Sequence, residues 1–166
     1  MTSQVEATRP AARYVVECPL RWSDLDAYGH VNNARILTLY EEARTAMVFA
    51  AAAEAGVESF AEGVVIARHE VDYLRPIGYQ RRRPSVDGPP TVRIEMWVEE
   101  VRRARFTIAY ELYDGEVLAG RARSVLVPYD LRERRARRLT EEERRYLQLY
   151  LVEPGEAVSG TGRERA

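Results

Sequence analysis

Residues 33–55 constrain the fold more than any other stretch of this chain. Ile36, Tyr40, Ala43, Met47 and Ala50 recur at three- and four-residue spacing, the period of a helix. Leu37, Leu39, Val48 and Phe49 widen that stripe until most of the surface is apolar. Glu41, Glu42, Arg44 and Thr45 are left as a narrow polar remainder. A helix this apolar cannot lie on a surface with one face in water, so other structure must wrap it. Asn32 or Asn33 suits its N-cap, since an amide oxygen can accept one of the orphan backbone N–H groups there. Gly56 is a natural stop.

Around this helix the period changes to two. Tyr14 to Leu20 reads as a strand, and Val64 to Leu74 as another that ends before Pro76. Val92, Ile94, Met96 and Val98 alternate with polar residues, as do Phe106, Ile108, Tyr110 and Leu112. Asp114-Gly115 is a hairpin signal leading into a last strand, 116–127, which Pro128 should close. Residues 80–90 form a loop rich in Arg and Pro. Thr140-Glu141-Glu142-Glu143 is a capping-box pattern, opening a short helix through about Leu151. One long helix and five strands imply an α+β fold with the helix on one sheet face. The expected organisation is a flexible tail over 1–12, a domain over 13–130, a basic segment with its helix over 131–152, and a disordered tail over 153–166. An open sheet has edges that invite pairing, so a dimer is expected.

The loop before the helix gathers the rare residues. Residues 22–33 hold both asparagines of the chain, Asn32 and Asn33, and one of its two histidines, His30. Asp24 and Asp26 precede Gly29 in the same loop. A helix start offers unpaired N–H groups and partial positive charge. A carboxylate facing such donors can attack, or activate water toward, an acyl carbon whose oxyanion the donors hold. Aspartates in loops are as readily turn formers. His30 can serve as a base or as a capping residue, and His69 can line a pocket or be a satisfied strand residue.

The remaining composition narrows the options. The two histidines are widely separated and Cys18 is the one cysteine, so no metal-ligand spacing arises and no intramolecular disulfide can form. No Gly-rich phosphate loop and no Gly-x-Ser-x-Gly elbow occurs. Formal net charge is -1, which gives no bulk attraction to nucleic acid. The longest apolar run, 46–53, is too short to cross a bilayer, and the first residues lack a secretory pattern. A cytoplasmic protein is expected. All basic residues are arginine, and runs at 81–83, 102–105 and 132–138 could hold phosphates or lie solvated beside glutamates.

The run Arg21-Trp22-Ser23-Asp24-Leu25-Asp26-Ala27-Tyr28-Gly29-His30-Val31-Asn32-Asn33, continuing to Tyr40-Glu41-Glu42-Ala43-Arg44, resembles the signature of hotdog-fold acyl-CoA thioesterases of the 4-hydroxybenzoyl-CoA thioesterase-like branch. The resemblance implies a five-stranded antiparallel sheet wrapped around the long helix, in homodimers or homotetramers with active sites at the subunit interface. It implies hydrolysis of an acyl-CoA to an acid and CoA, with no metal or cofactor. Asp26 matches the catalytic carboxylate, and Asn33 matches the position whose backbone N–H holds the oxyanion. Gly29, His30 and Asn32 match positions that shape the loop and cap. Arg81, Arg82, Arg83, Arg102 and Arg103 are candidates for the CoA phosphates. Two alternatives stay open: a non-catalytic acyl-CoA-binding module, and a thioesterase acting on an acyl-carrier protein.

Overall fold

The structure, a computed structural model, describes residues 13–79 and 88–152. The expected tails and most of the 80–90 loop, including Arg81, Arg82 and Arg83, lie outside the described residues. Strand β1 is Tyr14–Pro19. Helix α1, Asn33–Thr45, continues without a break through a π segment, Ala46–Ala51, and a last α turn, Ala52–Glu54. Then come β2 (Val64–Tyr73), β3 (Thr91–Val101), β4 (Phe106–Asp114), β5 (Val117–Asp130), a two-residue β6 (Arg135–Ala136) and helix α2 (Glu141–Gln148). The antiparallel sheet runs in the order β1-β3-β4-β5-β2, with β6 added to the end of β5. This is the hotdog arrangement that the resemblance implies.

Strand alternation decides which face meets the helix. Val92, Ile94, Met96 and Val98 of β3 are fully buried, as are Phe106, Ile108 and Leu112 of β4. Register places Ala122, Ser124 and Leu126 of β5 on the same face, opposite Tyr110, Ile108 and Phe106. Ile36, Leu39, Tyr40, Ala43 and Met47 pack onto it, with the Tyr40 and Tyr110 rings 5.1 Å apart. Gly120 permits this close approach, because a Cβ there would sit 2.9 Å from the Tyr40 hydroxyl. The opposite sheet face is a mesh of charges, with Arg13 between Glu95 and Glu111 and stacked over Trp97.

Three features depart from the expected pattern. The stripe drifts at its far end: Ala50 is exposed while Val48 and Ala52 are buried. The wider π turn between Ala46 and Ala51 explains this, since each bond there spans an extra residue and rotates Ala50 outward. Arg44, expected on the polar side, is 8% exposed and lies at the helix–sheet interface, whereas Leu37 and Phe49 remain partly in solvent. Strand β5 also runs past Pro128. There it pairs with Val64, and the Pro128 carbonyl accepts from the Arg137 N–H, while proline's missing donor is not called on.

The C-terminal segment shares the main core. Leu139, Tyr146 and Leu147 join the central cluster, and the Tyr146 hydroxyl donates to the Met47 carbonyl at 2.6 Å. The capping box forms as expected. The Thr140 hydroxyl accepts from the Glu143 N–H at 3.2 Å, and the Glu143 carboxylate accepts from the Thr140 N–H at 2.8 Å.

Candidate active site at the start of the long helix

The 21–32 loop is a tight hairpin. Leu25 bridges Val31, the Asp26 N–H donates to the His30 carbonyl at 2.8 Å, and the Asn32 N–H donates to the Asp24 carbonyl at 2.8 Å. Gly29 turns its tip with φ +77°, a left-handed conformation that costs other residues about 1–2 kcal/mol. A Cβ at Gly29 would touch nothing, so the backbone angle, rather than space, calls for glycine. The two aspartates take different parts. Asp24 is buried, and its carboxylate accepts from the Arg21 N–H at 2.7 Å, with Arg35 at 3.9 Å, so it holds the loop together.

Asp26 is half-buried. Its Oδ1 accepts from the Tyr28 N–H at 2.8 Å and the His30 N–H at 3.1 Å. These bonds fix the carboxylate plane and leave Oδ2 unengaged by either amide. Asp26 therefore forms the turn with one oxygen, and neither amide holds the other. His30 contributes its backbone to this arrangement and bridges Gly78, while its residue surface is exposed.

Asn32 is the N-cap, its Oδ1 accepting from the Ala34 N–H at 2.9 Å. The Asn32 carbonyl accepts from the N–H groups of Arg35 and Ile36. The Asn33 N–H is thus the first-turn amide that none of these bonds takes, and Asn33 is exposed. Beside it lies a residue to which sequence patterns assign no role in the site. The Tyr73 hydroxyl, at the end of β2, donates to the Asn33 carbonyl at 3.3 Å, and Tyr73 is 49% exposed. Strand alternation puts Tyr73 on the helix-facing side, but nothing local says which helical turn it meets. Trp22 and Tyr28 flank the loop as strongly exposed aromatic rings.

Arg102 and Arg103 do not join this constellation within one subunit. Leu20 and Pro19 meet Pro90 and Thr91 at the start of β3, whereas Arg102 follows the strand's far end. The intervening ten residues span about 30 Å of extended chain. Arg102 instead bonds Glu100 at 2.7 Å, so one member of that run is an ion-paired surface arginine. Arg35 and Arg75 are, with Arg21, exposed arginines nearer the helix start, Arg75 by its N–H bond to Ala119 just beyond Tyr73. Among the described residues no cluster of His, Cys, Asp and Glu suits a metal ion, and no helix is long and apolar enough to cross a membrane. A recess of about 390 Å³ lies on the outer sheet face around Trp97, Glu99, Glu111 and Arg123. It is on the side away from the long helix, and its charges bind one another, as in the Arg123–Glu99 pair at 2.7 Å.

Residues 20–148 match the thioesterase-like superfamily. Among solved structures, a predicted thioesterase from Bacillus stearothermophilus superposes with TM-score 0.72 at 22% identity, over 87% of this chain and 100% of that one. A thioesterase from Thermus thermophilus, complexed with coenzyme A and Zn, gives TM-score 0.63 at 28% identity, over 81% and 90%. The SAV2348 protein of Staphylococcus aureus, in complex with CoA, shares the fold at TM-score 0.67 and 10% identity, over 86% and 85%. No curated protein matches the chain. The family match covers most of the chain and the same curled sheet recurs in these structures, so this protein belongs to the thioesterase-like superfamily and has its hotdog fold.

Proposed function

We propose that this protein hydrolyses an acyl-CoA thioester, with Asp26 as the reacting carboxylate and the Asn33 N–H as oxyanion donor. The supporting observation is the pairing of an Asp26 oxygen left open by its two amide bonds with a first-turn amide not used in capping. The helix N-terminus adds partial positive charge where the thioester oxygen becomes negative. The CoA-bound relatives support the thiol component.

Two balanced routes use these groups. In one, Asp26 attacks the acyl carbon, the carbon–sulfur bond breaks, and the thiolate leaves to take a proton from solvent. Water then cleaves the anhydride and restores the carboxylate. In the other, Asp26 takes a proton from a water as that water attacks the acyl carbon, and the thiolate recovers a proton on leaving. Rapid-quench mass spectrometry separates them, because only the first route adds the acyl mass to the enzyme.

Strand β2 is one of the two edge strands of the sheet and carries Tyr73 beside Asn33. A second copy pairing along that edge would wall the site, which fits a homodimer with active sites at the interface. Arg35 and Arg75 suit the CoA phosphates within one subunit, while Arg102 and Arg103 would have to come from another copy. Hydrolysis of a panel of aromatic, short and long acyl-CoAs tests the function, with Asp26→Asn as control. Turnover by wild type and none by the variant is expected. CoA binding without turnover across the panel would overturn the reading in favour of a binding module.

A further inference from the structure

Arg44 is a buried cation held only by long contacts. It lies at the interface between the helix and the sheet, against Tyr110, which is fully buried. Its Nη1 reaches the Tyr110 hydroxyl only at 3.4 Å, and its Nη2 lies 3.8 Å from Glu41. Both are long beside a charge-assisted bond of about 2.7–2.9 Å. The Glu41 side chain is two-thirds exposed (66%), so water holds most of it. A guanidinium carries five donors and is costly to bury without an opposing charge.

A second nitrogen-bearing side chain faces the same place. His69, exposed on β2, has Nδ1 2.8 Å from the Ser124 hydroxyl, which is itself fully buried. Ser124 and Tyr110 share the helix-facing side through the β4–β5 register, so a chain of polar groups runs from the imidazole through Ser124 and Tyr110 to Arg44. This chain orients the ring and leaves Nε2 for another partner. Burial and then the Arg44 charge hold the His69 pKa below its usual value, while Glu41 raises it. Glu70 and Asp72 point to the opposite sheet face, as their pairing with Arg123 and Arg121 requires.

These groups also lie in line with the proposed site. Positions 33, 37, 40 and 44 share one helical stripe, and Tyr73, Val71 and His69 share one face of β2. The Tyr73–Asn33 bond fixes one end of this lane. Eleven residues of helix place Arg44 about 16 Å from Asn33, and four residues of strand place His69 about 14 Å from Tyr73. Between them Leu37 is 37% exposed and Val71 is half-buried, so both present apolar surface along the lane.

We propose that Arg44 and His69 form a carboxylate-binding subsite at the far end of this lane, and that the preferred acyl group carries a second carboxylate at its distal end. The subsite deepens the thioesterase reading and rests on it. A planar carboxylate matches the fork of a single guanidinium, and the apolar surface along the lane favours a medium-length chain over a short one.

The test compares kcat/KM for octanoyl-, decanoyl- and dodecanoyl-CoA with the octanedioyl, decanedioyl and dodecanedioyl monothioesters. At the best length the carboxylated substrate should win by about tenfold or more, the gain of one charge-assisted contact. That ratio should collapse in Arg44→Met, retain part of its value in Arg44→Lys, and fall in His69→Gln, whose site is exposed enough to tolerate the change. A second readout needs no turnover. Free decanedioate should raise the Tm of the wild type more than decanoate does, and not that of His69→Gln. Efficient hydrolysis of the plain thioesters at every length, with no carboxylate preference, would overturn the subsite and leave the thioesterase reading standing. Selective stabilisation by decanedioate without turnover of any thioester would do the reverse. A preference that survives all three variants, or an Arg44→Met variant that alters oligomeric state but not the ratio, would also overturn the subsite.

Discussion

Replacing Asp26 separates chemistry from scaffolding more cleanly than any other substitution in this chain. Asparagine keeps an acceptor oxygen in the Oδ1 position, so the Tyr28 and His30 amides retain their partner. What disappears is charge. Charge-assisted bonds are about twice as strong as neutral ones, so weakening two of them in a partly exposed loop costs about 1 kcal/mol. Alanine removes the acceptor, and both amides must turn to water, at about 1–2 kcal/mol. For a chain of this size each kcal/mol shifts Tm by about 2–4 °C. Losing the reacting carboxylate should reduce kcat by about 10²–10⁴-fold, far more than a small loss of folded population can produce. Thermal melts and thiol release from acyl-CoA, measured on the same samples, give both numbers. Asp26→Asn should melt close to wild type and be nearly inactive, while Asp26→Ala should be inactive and less stable. An active Asp26→Asn would refute the chemical role. An Asp26→Asn that melts as low as Asp26→Ala would refute the division between the two oxygens.

Other expectations follow from single contacts. Glu143 is fully buried and binds Arg137 at 2.7 and 3.0 Å, Ser59 at 2.9 Å and the Thr140 N–H at 2.8 Å. Glu143→Ala leaves these donors unpaired and should lower stability by about 3–5 kcal/mol in denaturant unfolding. Burial, with Glu42 and Glu17 nearby, pushes the Cys18 thiol up to about 11, so a thiol-alkylating reagent at neutral pH should label the protein only after unfolding. The lowered His69 pKa means that the unfolded chain binds more protons than the folded one between the folded value and about 6.5. His69 should therefore contribute stability above pH about 6.5 that is lost as pH falls through that window, and His69→Gln should flatten the slope there. An unchanged slope would place the imidazole in bulk water.

Much of the fold was legible because its signals are local. The helix start at Asn33, the hairpin turn at Gly115 with φ +63° and the Thr140 capping box depend on residues within four positions of one another. The geometry of the candidate site was legible to the same depth. The loop that orients Asp26 is closed by bonds to Tyr28 and His30, two and four residues away. Its partner Tyr73 was not, because forty residues separate it from Asn33 and only the seating of β2 against the helix brings them together. The polar face assigned to the helix failed at Arg44 for a related reason. Periodicity marks which residues share a side, but not how far around the helix the sheet will curl.

The sequence by itself determined the elements, the strand alternation and the loop that aims one carboxylate, since backbone hydrogen bonding and side-chain period act over short spans. Tertiary structure alone decided which distant groups share a surface. It brought Tyr73 to the helix start, carried Arg102 and Arg103 to the opposite end of the sheet, and enclosed the Arg44 charge beside His69 and Ser124. Those outcomes depend on strand register and on the packing of helix against sheet, where a shift of one residue would send each side chain to the other face.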